Sequence, residues 1–200
     1  MYDCDWSIRT VTGPTHEPIT LEEARVWAKF DADDTSQDAM ILGIIVAARR
    51  YAENYTGRAF VQRTLELRFP YFPSHVIELP RPPLRSVSYV RYIDVDGTEQ
   101  VLGGSPDEFQ VELYREPGRI QPLYLNVWPT TYGRNVDEVR IGYVAGYAGE
   151  PPDELKLWMQ SRVTMFDCHR EPIAPNNIQV LPHQFVDGIL DPLVIPHWWK

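Results

Sequence analysis

Apolar residues recur at helical spacing in the first third of the chain. Thr20 is followed three positions later by Glu23. This spacing is typical of a capping box, in which each side chain satisfies a backbone N–H, and it predicts a helix over about 20–30. A longer apolar stripe, preceded by the capping residues Thr35, Ser36 and Asp38, predicts a second helix over about 36–56. Gly57 is its expected stop, since glycine readily takes the left-handed conformation that ends many helices.

The alternation changes to every second residue after position 59, which is typical of strands. Asp96-Gly97 lies between two such runs and predicts a tight hairpin, because this turn favours glycine behind aspartate. The predicted strands lie near 64–69, 75–79, 87–95, 99–102, 108–114, 119–123 and 137–147.

A third helical pattern follows at 153–168, behind Pro151 and Pro152 and with acidic residues in its first turn. These elements predict an α+β protein. Its helical body comprises residues 18–58 and 150–168, and an antiparallel β region, residues 59–149, is inserted between them. Two arms complete the predicted organisation, residues 1–17 and 169–200.

The composition is that of a folded protein, and its charge does not favour binding to nucleic acid. Apolar residues make up 44% of the chain, and 28 acidic against 19 basic residues give a formal charge of −9. The start of the chain has no secretory signal pattern, and no run of about 20 apolar residues could span a bilayer. We therefore expect a soluble protein made in the cytoplasm.

Candidate metal sites are weak. Cys168 with His169 and His183, or Asp3 with Cys4 and Asp5, lack the paired spacing of zinc ligands. The acidic run 31–34 with Asp38 fits a solvated loop and a helix cap better than a cation site. The run of acids at 94–99 lacks the full calcium-loop pattern, so the hairpin interpretation is preferred.

No catalytic motif stands out either. The chain has no G-x-S-x-G, G-x-x-x-x-G-K or G-x-G-x-x-G sequence, and its five histidines are scattered. We expect no enzyme activity, no cofactor and no metal. Tyrosines lie among the arginines of one basic stretch, the minimum for a nucleic-acid face, although local ion pairs explain these residues better: Arg81, Arg85, Tyr89, Arg91 and Tyr92.

The C-terminal stretch 171–200 contains five prolines, one candidate short helix at about Gln184–Leu190, and an apolar, aromatic end. Such aromatic residues concentrate at the centres of protein interfaces. The alternative is that they pack on the chain's own core. The candidate partner-binding residues are Leu193, Ile195, His197, Trp198 and Trp199.

The segment PITLEEARVWAKFDADDTSQDAMILGIIVAARRYAENYTGRAF resembles the opening of phage head-to-tail connector (adaptor) proteins. The resemblance continues through IELPRPPLRSVSYVRYIDVDGTEQVL, FQVELYREPGRIQPLY and VRIGYVAGYAGEPPDELKLWM, covering roughly residues 17–168. No family pattern is recognised after His169.

The resemblance implies a non-enzymatic virion protein of a siphophage or a gene transfer agent, located at the head-to-tail interface and made in the bacterial host cytoplasm. It implies a ring, of twelve copies, that binds the portal protein on one side and a stopper or tail-completion protein on the other. DNA would pass through the ring without specific binding during genome ejection. In related connectors the C-terminal segment engages the portal, and the five candidate residues above are expected to do so here.

Three alternatives remain open from the sequence. The chain could be a stopper or tail-completion protein, which shares ring assembly and short β domains with connectors. It could be a phage nucleic-acid-binding module, which salt-dependent retention on DNA would reveal. It could be a packaging-associated metal nuclease, which metal analysis would reveal.

Overall fold

The computed structural model describes residues 6–30, 35–73, 76–103, 108–123, 127–134, 136–168 and 187–196. These residues form three α-helices and two antiparallel sheets, so the predicted mixed α+β class is confirmed. The chain divides into two compact units. The β unit comprises Met1–Thr15 and Gln62–Ala148, and the helical unit comprises His16–Val61 and Gly149–Lys200.

The helical unit contains α1 (Leu21–Ala28), α2 (Asp38–Thr56) and α3 (Asp153–Cys168). The predicted capping box is confirmed: Thr20 Oγ1 accepts from the Glu23 amide at 3.1 Å, and Glu23 Oε2 accepts from the Thr20 amide at 2.7 Å. None of the helices in the described ranges is long and apolar enough to cross a membrane.

Helix α2 begins two residues later than predicted, and its expected caps are wrong. Its N-cap residue is Gln37, with no side-chain capping bond. The carboxylate of Asp38 instead forms a salt bridge with Arg25 of α1 at 2.5 Å. It therefore pairs with α1 and does not cap α2. The predicted stop is confirmed, since Gly57 has φ 76° and donates its amide to the carbonyl of Glu53.

The apolar stripes of α2 and α3 form the core of the helical unit. One charged group lies among them: Arg49 is only 4% exposed and bonds the carboxylates of Glu17 at 2.6 Å and Glu53 at 2.8 Å. Burial lowers the pKa of Arg49, but these two carboxylates raise it more, so it lies above its usual value. The core includes Ile41, Ile45, Ala48, Leu155, Trp158, Met159 and Val163.

The β unit is built on a five-stranded sheet with the order β1-β2-β8-β4-β5. One face is apolar and buried, because side chains alternate across the sheet. The strands are β1 (Ser7–Thr12), β2 (Arg63–Phe69), β4 (Leu84–Ile93), β5 (Glu99–Leu102) and β8 (Val139–Ala145). The buried face carries Leu65, Leu67, Phe69, Val90, Val139, Ile141 and Tyr143.

Strand β1 lies within residues 1–17, for which the sequence predicts an arm rather than a strand. Its residues pair with β2, with Ile8 opposite Leu67. Five of its six residues are exposed, so the apolar alternation that would identify a strand is nearly absent. Residues 1–5 of the predicted arm lie outside the described part of the chain.

The predicted hairpin at Asp96-Gly97 is confirmed. Strands β4 and β5 pair antiparallel, and Gly97 takes φ 82° in the turn. Asp94 Oδ1 accepts from the amides of Asp96 at 3.0 Å and Thr98 at 2.9 Å. These bonds lower the pKa of Asp94, with the largest contribution coming from the side chain of Gln100. The acids here therefore organise a turn, as the hairpin interpretation requires.

A second sheet of three strands completes the β unit, in the order β3-β7-β6. Its strands are β3 (Ile77–Glu78), β6 (Phe109–Glu112) and β7 (Arg119–Pro122), each shorter than predicted. The rings of Phe72 and Trp128 stack nearby at 5.0 Å between centroids.

Candidate partner-binding site

The described part of the C-terminal region, residues 187–196, lies on the helical unit, and we call it the C-terminal strap. Its residues 187–190 form a turn, so the described part of the predicted helix Gln184–Leu190 is not helical. Gly188 is consistent with this, because glycine is unfavourable in a helix interior. A single 3₁₀ turn follows at Asp191–Leu193.

Two apolar side chains and two backbone bonds attach the strap. Leu190 is 0% exposed and Ile195 is 3% exposed. The Ile195 amide donates to the carbonyl of Thr56 at 2.8 Å, at the end of α2 where helix carbonyls lack intrahelical partners. Arg58 Nε donates to the carbonyl of Leu193 at 2.6 Å. The strap therefore completes the C-terminal end of α2.

Asp187 ties the other end of the strap to α3. Its Oδ1 accepts from Trp158 Nε1 at 3.2 Å and is also bonded by Arg162. The Arg162 guanidinium lies 4.9 Å from the centroid of Trp158, which itself stacks on Tyr51 at 5.6 Å. The Tyr51 hydroxyl donates to the other oxygen of Asp187 at 3.5 Å, so three side chains contact this carboxylate.

Asp191 binds α2 through Tyr55, whose hydroxyl donates to Oδ1 at 2.6 Å. That hydrogen bond, which the tyrosinate could not make, is the main reason that the pKa of Tyr55 is raised to about 12. Because the pKa is raised on docking, this bond stabilises the strap below about pH 10 and is lost as the pH rises through about 12.

Tyrosinate absorbance checks this expectation. In the difference between wild type and Tyr55→Phe, we expect a titration midpoint near pH 12 rather than 10. Asp191→Ala, which removes the acceptor of the hydrogen bond together with the charge, should move that midpoint back toward 10. A wild-type midpoint at the ordinary tyrosine value would contradict the docked strap.

Of the five predicted partner-binding residues, two lie in the described part of the chain. Leu193 is half-buried in the 3₁₀ turn, and Ile195 is buried in the helical unit, where it anchors the strap. His197, Trp198 and Trp199 lie outside the described residues. Sequence reasoning missed Arg58, Thr56, Asp187 and Asp191, because their contacts join positions that are far apart in the sequence, by 25 residues for Asp187 and Arg162 and by 136 for Asp191 and Tyr55.

The candidate metal sites lie largely outside the described residues, which do not include residues 3–5, the acidic run 31–34, His169 or His183. Within the described ranges no three His, Cys, Asp or Glu side chains are grouped as metal ligands would be. Tyr89 and Tyr92 lie on opposite faces of the five-stranded sheet, with Tyr89 opposite Gly142 and Tyr92 in edge contact with Phe72. They do not form the shared stacking face that single-stranded nucleic acid uses.

Comparison with solved structures reveals a shared fold. The chain superposes on a chain from the neck of an empty GTA particle computed with C6 symmetry with a TM-score of 0.77, covering 97% of this chain and 98% of that one at 19% identity. The shared fold is thus that of a chain in a GTA particle neck. A chain from the virion of the native gene transfer agent (GTA) particle gives a TM-score of 0.73 at 18% identity, and one from the neck of the native GTA particle computed with C12 symmetry gives 0.72 at 17%. Each match covers at least 96% of this chain and 98% of the other chain.

No protein-family model matches the sequence, and no curated protein matches it.

Proposed function

We propose that the protein is a structural, non-enzymatic head-to-tail connector (adaptor) of a phage or gene transfer agent particle. The observation that carries the proposal is the fold shared over 97% of this chain and 98% of a GTA neck chain. Likeness over nearly all of both chains argues for a subunit of the same kind. The sequence resemblance to connector proteins points in the same direction.

The proposed assembly is a ring of twelve copies. The neck structures that share the fold were computed with C6 and C12 symmetry, which favours rotational assembly of this kind of chain. A closed ring requires a heterologous interface, in which one face of each copy binds a different face of the next. The two units of the chain supply such distinct surfaces.

The proposed binding partner of the last residues is the portal protein. The C-terminal strap brings the chain to Pro196 on the helical unit, directly before His197, Trp198 and Trp199. A strap held at both ends fixes where these residues start, which reduces the entropy lost when they bind. Leu193, half-buried in the strap, is the proposed near edge of the same contact, and a stopper or tail-completion protein is the proposed partner on the ring's other side.

The acidic balance suits the proposed DNA exit channel. With a formal charge of −9, the chain offers few basic side chains that could bind DNA phosphates and release their counterions. The duplex can therefore pass through without being held. We propose that acidic side chains line the channel. A basic lumen in an assembled ring would contradict this part of the proposal.

The second candidate is a stopper or tail-completion protein of the same neck, because likeness to neck chains supports either position. A nucleic-acid-binding module is disfavoured by the charge of −9 and by the separation of Tyr89 from Tyr92. A role at the virion neck is common to the first two.

Electron microscopy of the protein mixed with its candidate portal is the test. We expect a symmetric ring bound at one end of the portal. Each component alone serves as the control for rings that form without the other. If the folded protein shows no association with portal but binds isolated tails, the stopper or tail-completion role replaces the connector role.

A further inference from the structure

Strand register places three arginines side by side on the polar face of the five-stranded sheet. Arg68 on β2 is directly opposite Arg140 on β8, which is directly opposite Arg91 on β4. Their register neighbours Leu67 and Ile141 point into the buried core, so the arginines lie on the other face. We call this set the arginine row.

Like charges placed directly opposite each other destabilise a sheet, so the row needs compensation. The charge of Arg68 is compensated by the carboxylates of Glu66 at 2.6 Å and Asp137 at 2.8 Å. Arg140 has less, with the carboxylate of Glu99 at 3.7 Å. The compensation therefore declines along the row from β2 toward β4.

Arg91 ends the row on the exposed side, and the structure pairs it with no carboxylate in the part of the chain that it describes. Its guanidinium lies 4.7 Å from the centroid of the Tyr89 ring. That ring is held in place, since the Tyr89 hydroxyl donates to Glu66 at 2.6 Å. Its carbons occupy the space above Gly142, where an added Cβ would lie only 2.3 Å from the ring.

The row is thus an ordered cationic surface whose last member has no acidic partner among the described residues. A carboxylate supplied by another chain would offset the like-charge repulsion that the sheet itself leaves uncompensated. Arginine suits this because its guanidinium can bind carboxylates in a fixed geometry.

The helical unit carries a matching acidic surface. The first turns of α1 and α3 each contain two acids, and Glu150 lies just before α3. Helices α1 and α3 contact each other, and Lys156 of α3 bonds Glu150 at 2.7 Å. That bond raises the pKa of Lys156, and Glu23 and Asp153 raise it further, as expected if the two first turns lie near each other. We call this exposed set the acidic rim: Glu22, Glu23, Glu150, Asp153 and Glu154.

We propose that the arginine row of one copy binds the acidic rim of the next copy. This rests on the proposed ring and specifies its interface as a heterologous, charge-complementary contact between the β unit of one subunit and the helical unit of its neighbour. Nucleic acid fits the row less well, because the whole chain carries a charge of −9.

Charge reversal in the full-length protein tests the contact, with ring formation followed by sedimentation velocity and native mass spectrometry. Arg91→Glu and Glu154→Arg should each weaken assembly by roughly tenfold or more, because each brings like charges together. The double variant should recover most of the wild-type assembly, since every interface again pairs opposite charges. Arg50→Glu, on the exposed side of α2, makes the same charge change away from the row and should assemble as wild type does.

The outcomes separate the interface from the function. Rings of wild type that persist in Arg91→Glu overturn the proposed interface and leave the connector function standing. Loss of assembly in both single variants without recovery in the double overturns the pairing with the acidic rim. Wild type that forms no ring, alone or with portal, overturns the connector function itself. Salt-dependent retention of wild type on DNA, lost in Arg91→Glu with assembly unchanged, would assign the row to nucleic acid instead.

Discussion

Replacing Arg49 with methionine is expected to lower the free energy of unfolding by about 3–5 kcal/mol, the range for breaking a buried ion pair on one side. Arg49 and Glu53 are each 4% exposed. Without the guanidinium, Glu53 keeps the Phe60 amide at 3.2 Å but loses its ion pair with Arg49. Methionine keeps much of the volume, so the measured loss reports mainly the broken ion pairs of Arg49.

Urea unfolding of matched variants measures this effect. Arg50→Met, at the adjacent exposed position, should stay within about 0.5 kcal/mol of wild type. Arg49→Met combined with Glu53→Gln should recover part of the loss, because the buried charge is then removed as well. Equal stability of Arg49→Met and Arg50→Met would show that the buried pair does not stabilise the helical unit.

Local signals in the sequence predict the elements well. The capping box at Thr20, the glycine stop at Gly57 and the Asp-Gly turn each describe interactions within a few residues, and all three occur as predicted. The third helix spans Asp153–Cys168, as the sequence predicts, because the prolines before it and its acidic first turn mark its beginning.

Interactions between distant residues are what the sequence does not predict. The arginine row depends on the register of three strands, and two irregularities in β4, between Leu84 and Ser86 and between Val87 and Tyr89, change which residues share a face. Alternation counted along β4 alone cannot include these shifts. The strap is similar, since its acids find their partners on helices that are remote in sequence.

The adjacent pair Arg49 and Arg50 shows an intermediate situation. The sequence presents them as one basic spot, yet only Arg49 is buried. It lies four residues after Ile45 and one turn before Glu53, on the stripe that α2 buries. Helical periodicity therefore places Arg49 on the buried stripe, although a charged residue is not expected to be buried there.

The second large effect concerns the aromatic end of the chain. Replacing both Trp198 and Trp199 with alanine should weaken portal binding by about 3 kcal/mol or more per site, more than a hundredfold in Kd. Trp27→Ala removes a tryptophan that is 46% exposed on α1 and should leave portal binding unchanged. Asp187→Asn, which keeps both tryptophans but weakens the attachment of the strap to Trp158 and Arg162, should give a smaller loss.

Measuring portal affinity and thermal unfolding together distinguishes the two roles considered for these tryptophans. If they contact the portal, the double variant loses affinity while its unfolding temperature stays that of wild type. If they pack on the chain's own core, the variant loses stability, by about 3–5 kcal/mol for each fully buried ring. A stable double variant that binds portal as wild type does would exclude both roles. Ile195, one residue before the end of the strap, has its side chain buried and its amide bonded to Thr56, so the proposed contact would then have to be made elsewhere on the helical unit.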